Sequence, residues 1–454
     1  MKIGAKISAL FGLAMMAMVV IGAYSPPSYV VEDIGGLGGV GDGVTVQNPV
    51  FSVAAAAVAS GGKIRLPCGI FKLTSAFVIN VAAGAHVDLE GSGADCTVIY
   101  VSGAIDGPRF NFGSQWSSVR VANLTVETDQ VGGTKCLVWS GSFTNPNSAY
   151  AAASAVENVT LRGTDLTTTN ANYCGVGFYE FSISNISVNN YSFNGTPSHS
   201  GTAISVNGSG TGGTYSVVMN VSNSNITECG TGMYYGDWVQ GITFSATNIT
   251  GCNYGINTVT TPSGVLDEIA LVNSQVNAFV CGICVQDASF DDVIVSNSIL
   301  ILNANATGVK LQGTNFIIEG DQISSTSTTG TIGIDATSIY GNGGIVAGNA
   351  FLGFAKGIQT ETSTQAPLRL TQNQFGLNTA DYSINSASLG VVVNDDQPRN
   401  VASVLSNLPC NSAIKYSKVE VVDSPTVTYN ATVTVGAGSN FVSLKCDGAR
   451  YYVD

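Results

Sequence analysis

The segments Gly232-Met-Tyr-Tyr235, Gly255-Ile-Asn-Thr258, Gly282-Ile-Cys-Val285, Gly308-Val-Lys-Leu311, Gly333-Ile-Asp-Ala336 and Gly357-Ile-Gln-Thr360 decide how this chain folds. Each is a glycine, a branched or large apolar residue, a short strand pattern and a polar turn. The glycines step along the chain by 23, 27, 26, 25 and 24 residues. The same mark falls at Gly175, two repeats before Gly232, with Ala203-Ile204 filling the gap. A second series keeps the same pace, in strand patterns that begin at Ile242, Ile269, Val293, Phe316, Ile345 and Leu368. A fixed period holding several short strands means a solenoid. Alternation within each strand puts Ile, Val and Phe inside and Ser, Thr and Asn outside. One coil cannot bury its own core, so stacking supplies the stability and both ends need caps. The expected architecture is all-β: a right-handed parallel β-helix over residues 28–398, with about eleven to thirteen coils between residues 60 and 395.

Composition agrees. Only 10% of the 454 residues are charged, and 54 are glycine, so the outside must rely on Asn, Ser and Thr. The formal net charge is −13. Between Gly163 and Val309 there is no Lys or Arg, against nine Asp or Glu. Polyanion binding rests on Lys and Arg, which argues against a nucleic-acid partner. An acidic polymer on this stretch would need a bound cation. Residues 1–23 read as an export signal or a retained hydrophobic anchor: Lys2 and Lys6 precede an apolar run from Ile7 to Gly22. An extracellular, virion or cell-surface location follows. Ten cysteines form an even set. Cys281-Gly-Ile-Cys284 is a lone CxxC without a second half, so no metal or cofactor is expected. Cys229 and Cys252 each lie three residues before a register glycine. They should stack on adjacent coils, as a disulfide or as two buried thiols.

Residues 28–100 carry a further pattern: Gly41-Asp-Gly-Val-Thr45, an Ala-rich helical stretch within Pro49–Ser60, then Leu66-Pro-Cys-Gly-Ile-Phe71 and Leu89-Glu-Gly-Ser-Gly93. This resembles the N-terminal cap of the pectate-lyase-superfamily β-helix proteins, a group that includes tailspike-like and glycoside-hydrolase-like members. The resemblance implies a short helix that plugs the solenoid. It leaves the chemistry open, because the family hosts hydrolases, lyases and non-enzymes. Thr45-Val-Gln-Asn48 stands where the family has Thr-Asp-Asp-Thr, so no role passes to those positions. Residues 399–454 resemble a small β module at the C-termini of phage tail-fibre-like proteins. A core this small calls for a staple, and Cys410–Cys446 is the expected disulfide. The tailspike resemblance implies a homotrimer.

Five residues beyond Gly175, Gly232 and Gly282 lie Glu180, Asp237 and Asp287. On alternate rungs they would stand roughly 10 Å apart, near the ~6.5–9.5 Å span of an inverting glycosidase pair. Tyr179, Tyr235 and Trp238 flank them and suit the apolar faces of sugar rings. Asp at turns through its own backbone bonding gives the same spacing. Asp267-Glu268 and Asp291-Asp292 are lesser candidates, because neighbours on a strand face opposite ways. His86 and His199 are isolated. The sequence therefore points to a polysaccharide partner and to hydrolysis by Glu180, Asp237 and Asp287. A non-catalytic adhesin or tailspike-like protein is one alternative. The other is a lyase using Arg109, Arg120, Lys135 and Arg162, with Trp116 and Trp139 nearby.

Overall fold

The computed structural model describes residues 29–454 apart from 142–150, 166, 168–170, 209–215, 261–265, 288–289, 340–342, 361–366, 386–390, 400–403, 406–407, 425–430 and 434–439. The segment read as a signal or anchor lies outside the described residues. No helix among the described residues is long and apolar enough to cross a membrane.

The chain winds into a β-solenoid of about twelve turns. Three sheets run its length, and each strand pairs in parallel with the equivalent strand of the next turn. The first sheet stacks Gly62–Leu66, His86–Gly91 and so on through Leu266–Val272, Asp291–Ser296 and Gly344–Ala347 to Leu368–Thr371. The second includes Gly69–Leu73, Gln322–Ser325 and Gln374–Gly376. The third includes Lys135–Gly141, Val176–Phe181, Thr202–Asn207 and Thr231–Tyr235.

The register glycines belong to the third sheet, where their spacing has a steric cause. A Cβ on Gly232 would come within 2.6 Å of the Gly255 carbonyl oxygen, and one on Gly282 within 2.6 Å of that of Gly308. From Gly232 onward each coil lies close against the backbone of the next at this point, which favours glycine, while Cys136 and Ala203 take the place in earlier coils. The member of this column in the earlier coil is Gly177, not Gly175: Val176 pairs with Thr202, and Thr202 with Thr231.

Between the first and second sheets the chain turns through one left-handed residue per coil. Asn123, Asn158 and Asn190 sit there with φ of 57°, 52° and 52°. Their amides form an outer ladder, Asn158 Nδ2 to Asn123 Oδ1 at 2.9 Å and Asn190 Nδ2 to Asn158 Oδ1 at 3.0 Å. The residue after the turn points inward and builds a second, buried ladder. The Ser274 N–H donates to Ser298 Oγ (3.2 Å), Ser298 N–H to Asp321 Oδ1 (2.7 Å), Asp321 N–H to Asn349 Oδ1 (2.9 Å), and Asn349 N–H to Asn373 Oδ1 (3.2 Å). These side chains satisfy corner amides that the sheets cannot reach.

The N-terminal end is closed by the helix Asn48–Val58. Phe51, Ala54, Ala55 and Val58 are buried, and Phe51 packs edge-on against Phe77 with ring centroids 5.0 Å apart. At the other end Lys418–Ser424 pairs in parallel with Val391–Arg399, then antiparallel with Asn440–Cys446, which pairs antiparallel with Tyr451–Val453. Parallel stacking thus ends in a small meander. Cys410 is bonded to Cys446, and Cys229 to Cys252 across adjacent coils with Cα atoms 4.4 Å apart. Cys68–Cys96, Cys136–Cys174 and Cys281–Cys284 complete the pairing.

Candidate functional site

The expected outward row of Glu180, Asp237 and Asp287 does not assemble. Counted from Gly177, Glu180 aligns with Tyr235 rather than with Asp237. Trp139, Glu180, Val206 and Tyr235 form one inward line. Glu180 and Tyr235 are both fully buried, and Glu180 Oε1 accepts the Ile183 N–H. Tyr235 is therefore a core residue, not a sugar platform. Asp237 and Asp287 stay partly exposed, two rungs apart in the turns that follow third-sheet strands. Trp238 is beside Asp237, partly exposed, at φ 58°. Tyr179 is also partly exposed, with Lys135 Nζ 3.4 Å from its ring centroid.

The basic group is engaged in local pairs. Arg109 bonds Asp106 at 2.7 Å, Arg120 bonds Glu157 at 2.7 Å, and Arg162 lies 3.4 Å from Glu127. Trp139 is core, between Phe112 and Phe178, while Trp116 is exposed. His86 sits between Ser118 Oγ (2.7 Å) and Asp88 Oδ1 (3.2 Å), and His199 Nδ1 donates to the Gly251 carbonyl at 2.6 Å.

The carboxylates meet on the first sheet instead. Asp267 pairs in register with Asp291 on the next rung. Strand alternation alone would send Asp292 to the other face. A left-handed kink prevents this: Glu268 and Asp292 have φ of 54° and 55°, and Asn315 and Gly343 continue the column at 50° and 79°. Val293, the next residue, is the one that turns into the core. Asp291 and Asp292 thus both join Asp267, with carboxylate oxygens all within 4.8 Å of one another, and Glu268 is exposed alongside.

Burial, then repulsion from Glu268, Asp291 and Asp292, pushes the Asp267 pKa up to about 6. Its Oδ1 is buried without a hydrogen-bond partner among the described residues. Burial and the Asp291 charge also raise Asp292. Asn315 Nδ2 donates to Asp291 Oδ1 at 2.8 Å. Beneath, the buried Tyr235 hydroxyl lies against the backbone carbonyls of Asp267 and Val239, which share its one proton. Three carboxylate oxygens this close can hold a hard cation, but calcium takes six to eight oxygens. Asn315 turns an N–H rather than its carbonyl toward the group. The arrangement suits carboxyl groups that share and pass a proton.

A groove of about 470 Å³ opens from this cluster and crosses four rungs, with Asp292 at one end and Arg369 at the other. Its floor is an outward column, Ile294, Ile317, Ile345 and Arg369, paired in register. The three isoleucines are 40%, 38% and 37% exposed and stack on successive rungs as a continuous apolar strip.

No family model matches the chain, and none of the curated proteins compared with it does. Solved structures do match. The catalytic domain of a GH87 alpha-1,3-glucanase in complex with nigerose aligns with TM-score 0.50 and 10% identity, over 82% of this chain and 68% of that one. The A-module of the Azotobacter vinelandii mannuronan C-5 epimerase AlgE6 aligns with TM-score 0.49 and 14% identity, over 81% and 100%. The Dettilon tailspike protein aligns with TM-score 0.49 and 13% identity, over 93% and 77%. At such identities the likeness concerns architecture alone: the chain has a parallel β-helix fold.

Proposed function

We propose that this protein is a polysaccharide hydrolase that lays a glycan along the outer face of the first sheet and cuts it at Asp267, Asp291 and Asp292. The observation that carries this reading is the meeting of three carboxyl groups from adjacent rungs, one raised to about 6, at the mouth of an apolar groove. Glycoside hydrolysis needs one carboxyl group to give a proton to the leaving oxygen and another to act on the far side of the sugar. Asp267 is the proton donor, since burial and its neighbours keep its proton on at mildly acidic pH. With oxygens within 4.8 Å of one another, these groups stand at the short separation of a retaining pair, so Asp292, or Asp291 steadied by Asn315, attacks the anomeric carbon while Asp267 protonates the leaving oxygen, and Asp267 then takes the proton of the water that releases the sugar. The isoleucine strip supports sugar C–H faces. The glucanase of like fold, solved with nigerose, supports the idea that such a solenoid can carry a saccharide.

Asp237 and Asp287 remain a second candidate pair, with Trp238 and Tyr179 as flanking aromatics. A surface protein that binds without cutting is the alternative class. Extracellular or virion-surface placement and a homotrimer belong to the same proposal, and light scattering tests the trimer. The decisive assay compares reducing ends released from bacterial surface polysaccharides by the wild type and by Asp267→Asn, Asp292→Asn and Asp237→Asn. Loss in the first two with Asp237→Asn active supports the cluster. Loss in Asp237→Asn alone moves the site to the turn row, and binding without release by the wild type supports the adhesin.

A further inference from the structure

Arg369 stands at the far end of the groove, exposed, and it forms no ion pair among the described residues. Its position is unusual along the whole solenoid. The outward column of the first sheet runs Lys63, Asp88, Arg120, Ala155, Ser187, Asn220, Thr243, Ala270, Ile294, Ile317, Ile345, Arg369. Lys63 and Arg120 are each matched with Glu90 or Glu157. Between Arg120 and Arg369 the column has no cation. In this column, among the described residues, the one cation without an ion pair is therefore the one that closes the groove opened by the carboxylates.

We infer that the groove takes a polysaccharide with sparsely spaced acidic substituents, one of which docks on Arg369 while an uncharged sugar occupies the carboxylate cluster. This rests on the reading of the groove as a glycan site. Three rungs separate Ile294 from Arg369, or ~14 Å at the strand spacing. That exceeds the ~8 Å screening length at physiological salt, so the two ends of the groove act separately on a bound chain. An anion over the cluster meets Asp267, Glu268, Asp291 and Asp292 and is repelled. An anion over Arg369 meets a planar fork of donors that matches a carboxylate, sulfate or phosphate edge. The isoleucines between offer apolar contact and no charge, which suits the neutral sugars that separate one substituent from the next. A uniformly charged polyuronate places an anion at both ends and is disfavoured. The overall charge of −13 also works against any unspecific attraction to an anionic polymer.

The test is binding, and it does not depend on cleavage. Gellan and xanthan carry carboxylates spaced along the chain, and each is compared with its carboxyl-reduced form. Wild-type protein, Arg369→Gln and Arg369→Lys are titrated against both in physiological salt. A mixed sulfated dextran and its desulfated form distinguish sulfate from carboxylate. The wild type should prefer the native acidic polymer by about ten-fold. Arg369→Gln should lose the preference while melting as the wild type does, and Arg369→Lys should keep part of it. Equal binding of native and neutral polymers by the wild type, binding of none of them, or an unchanged preference in Arg369→Gln overturns the inference. Tight binding with the preference intact but no reducing-end release defeats only the hydrolase reading.

Discussion

Replacing Asp321 by Asn should stabilise the protein at neutral and alkaline pH and change little in acid. Asp321 is a rung of the buried polar ladder. Its Oδ1 accepts the Ser298 N–H at 2.7 Å, while Oδ2 is buried with no hydrogen-bond partner among the described residues. The next two rungs are asparagines, whose Nδ2 groups donate to the carbonyls of Ile318 (2.9 Å) and Val346 (3.0 Å). Val295, Ile318 and Val346 are in register, so the repeat turns Asp321 Oδ2 toward the Val295 carbonyl. A carboxylate oxygen repels that carbonyl, whereas a protonated one or an amide N–H can donate to it. Burial, followed by the charge of Glu319, accordingly raises the Asp321 pKa from 3.8 to about 7.

A raised carboxyl pKa means that the folded state holds its proton where the unfolded chain has released it. Stability therefore falls as pH rises from about 4 to about 7, and the penalty is complete above that window. Three pH units at about 1.4 kcal/mol each cap the penalty at ~4 kcal/mol. Asn has no proton to lose and continues the ladder of Asn349 and Asn373. Thermal melts of wild type and Asp321→Asn should differ by several degrees at about pH 8 and nearly coincide at about pH 4.5. An equal shift at both pH values, or a lower melting point for the variant at pH 8, refutes the reasoning.

Activity should decline as pH rises through about 6, where Asp267 loses its proton, and a pH–rate profile should show Asp267→Asn both slow and without that limb. Tyr235→Phe removes a hydroxyl that holds the Asp267 backbone, and it should lower kcat more than it raises KM while the chain stays folded. Gly282→Ala pushes a methyl to within 2.6 Å of the Gly308 carbonyl and should lower the melting midpoint sharply, unlike Gly93→Ala, where the nearest atom to a Cβ is Cys96 Sγ at 3.6 Å. With all ten cysteines bonded, a thiol titration of the denatured, unreduced protein should find no free thiol.

Much of the fold was legible in the sequence because it repeats. The register glycines mark where one coil touches the backbone of the next, the run Pro49–Ser60 overlaps all but the first residue of the capping helix, and the spacing of Cys229 and Cys252 follows one coil. The site was less legible, for two local reasons. Gly175 and Gly177 are both followed by an apolar residue, and choosing the first shifted Glu180 by two positions, from the core line to the turn. The alternation rule then set Asp291-Asp292 aside, because it assumes a regular strand. The left-handed kink at Asp292 breaks the rule, and nothing about an aspartate in isolation signals it. The column could have been found by aligning Gly241, Asp292, Asn315 and Gly343 at coil spacing, residue types that tolerate that conformation, with Glu268 as the exception among them. The inner ladder was visible too, as Asn297-Ser298, Gly320-Asp321 and Gly348-Asn349 at coil spacing.

The central claim is that a glycosidic bond is hydrolysed at the Asp267–Asp291–Asp292 cluster. Digestion of a bound polysaccharide in oxygen-18-labelled water, followed by mass spectrometry of the fragments, tests it most directly. Wild type should release fragments that each carry one heavy oxygen at the new reducing end. Asp292→Asn, folded and still binding, should release them ~10²–10⁴ times more slowly. Fragments that lack the label and absorb as unsaturated uronides, or labelled fragments made as fast by Asp292→Asn, would contradict the account.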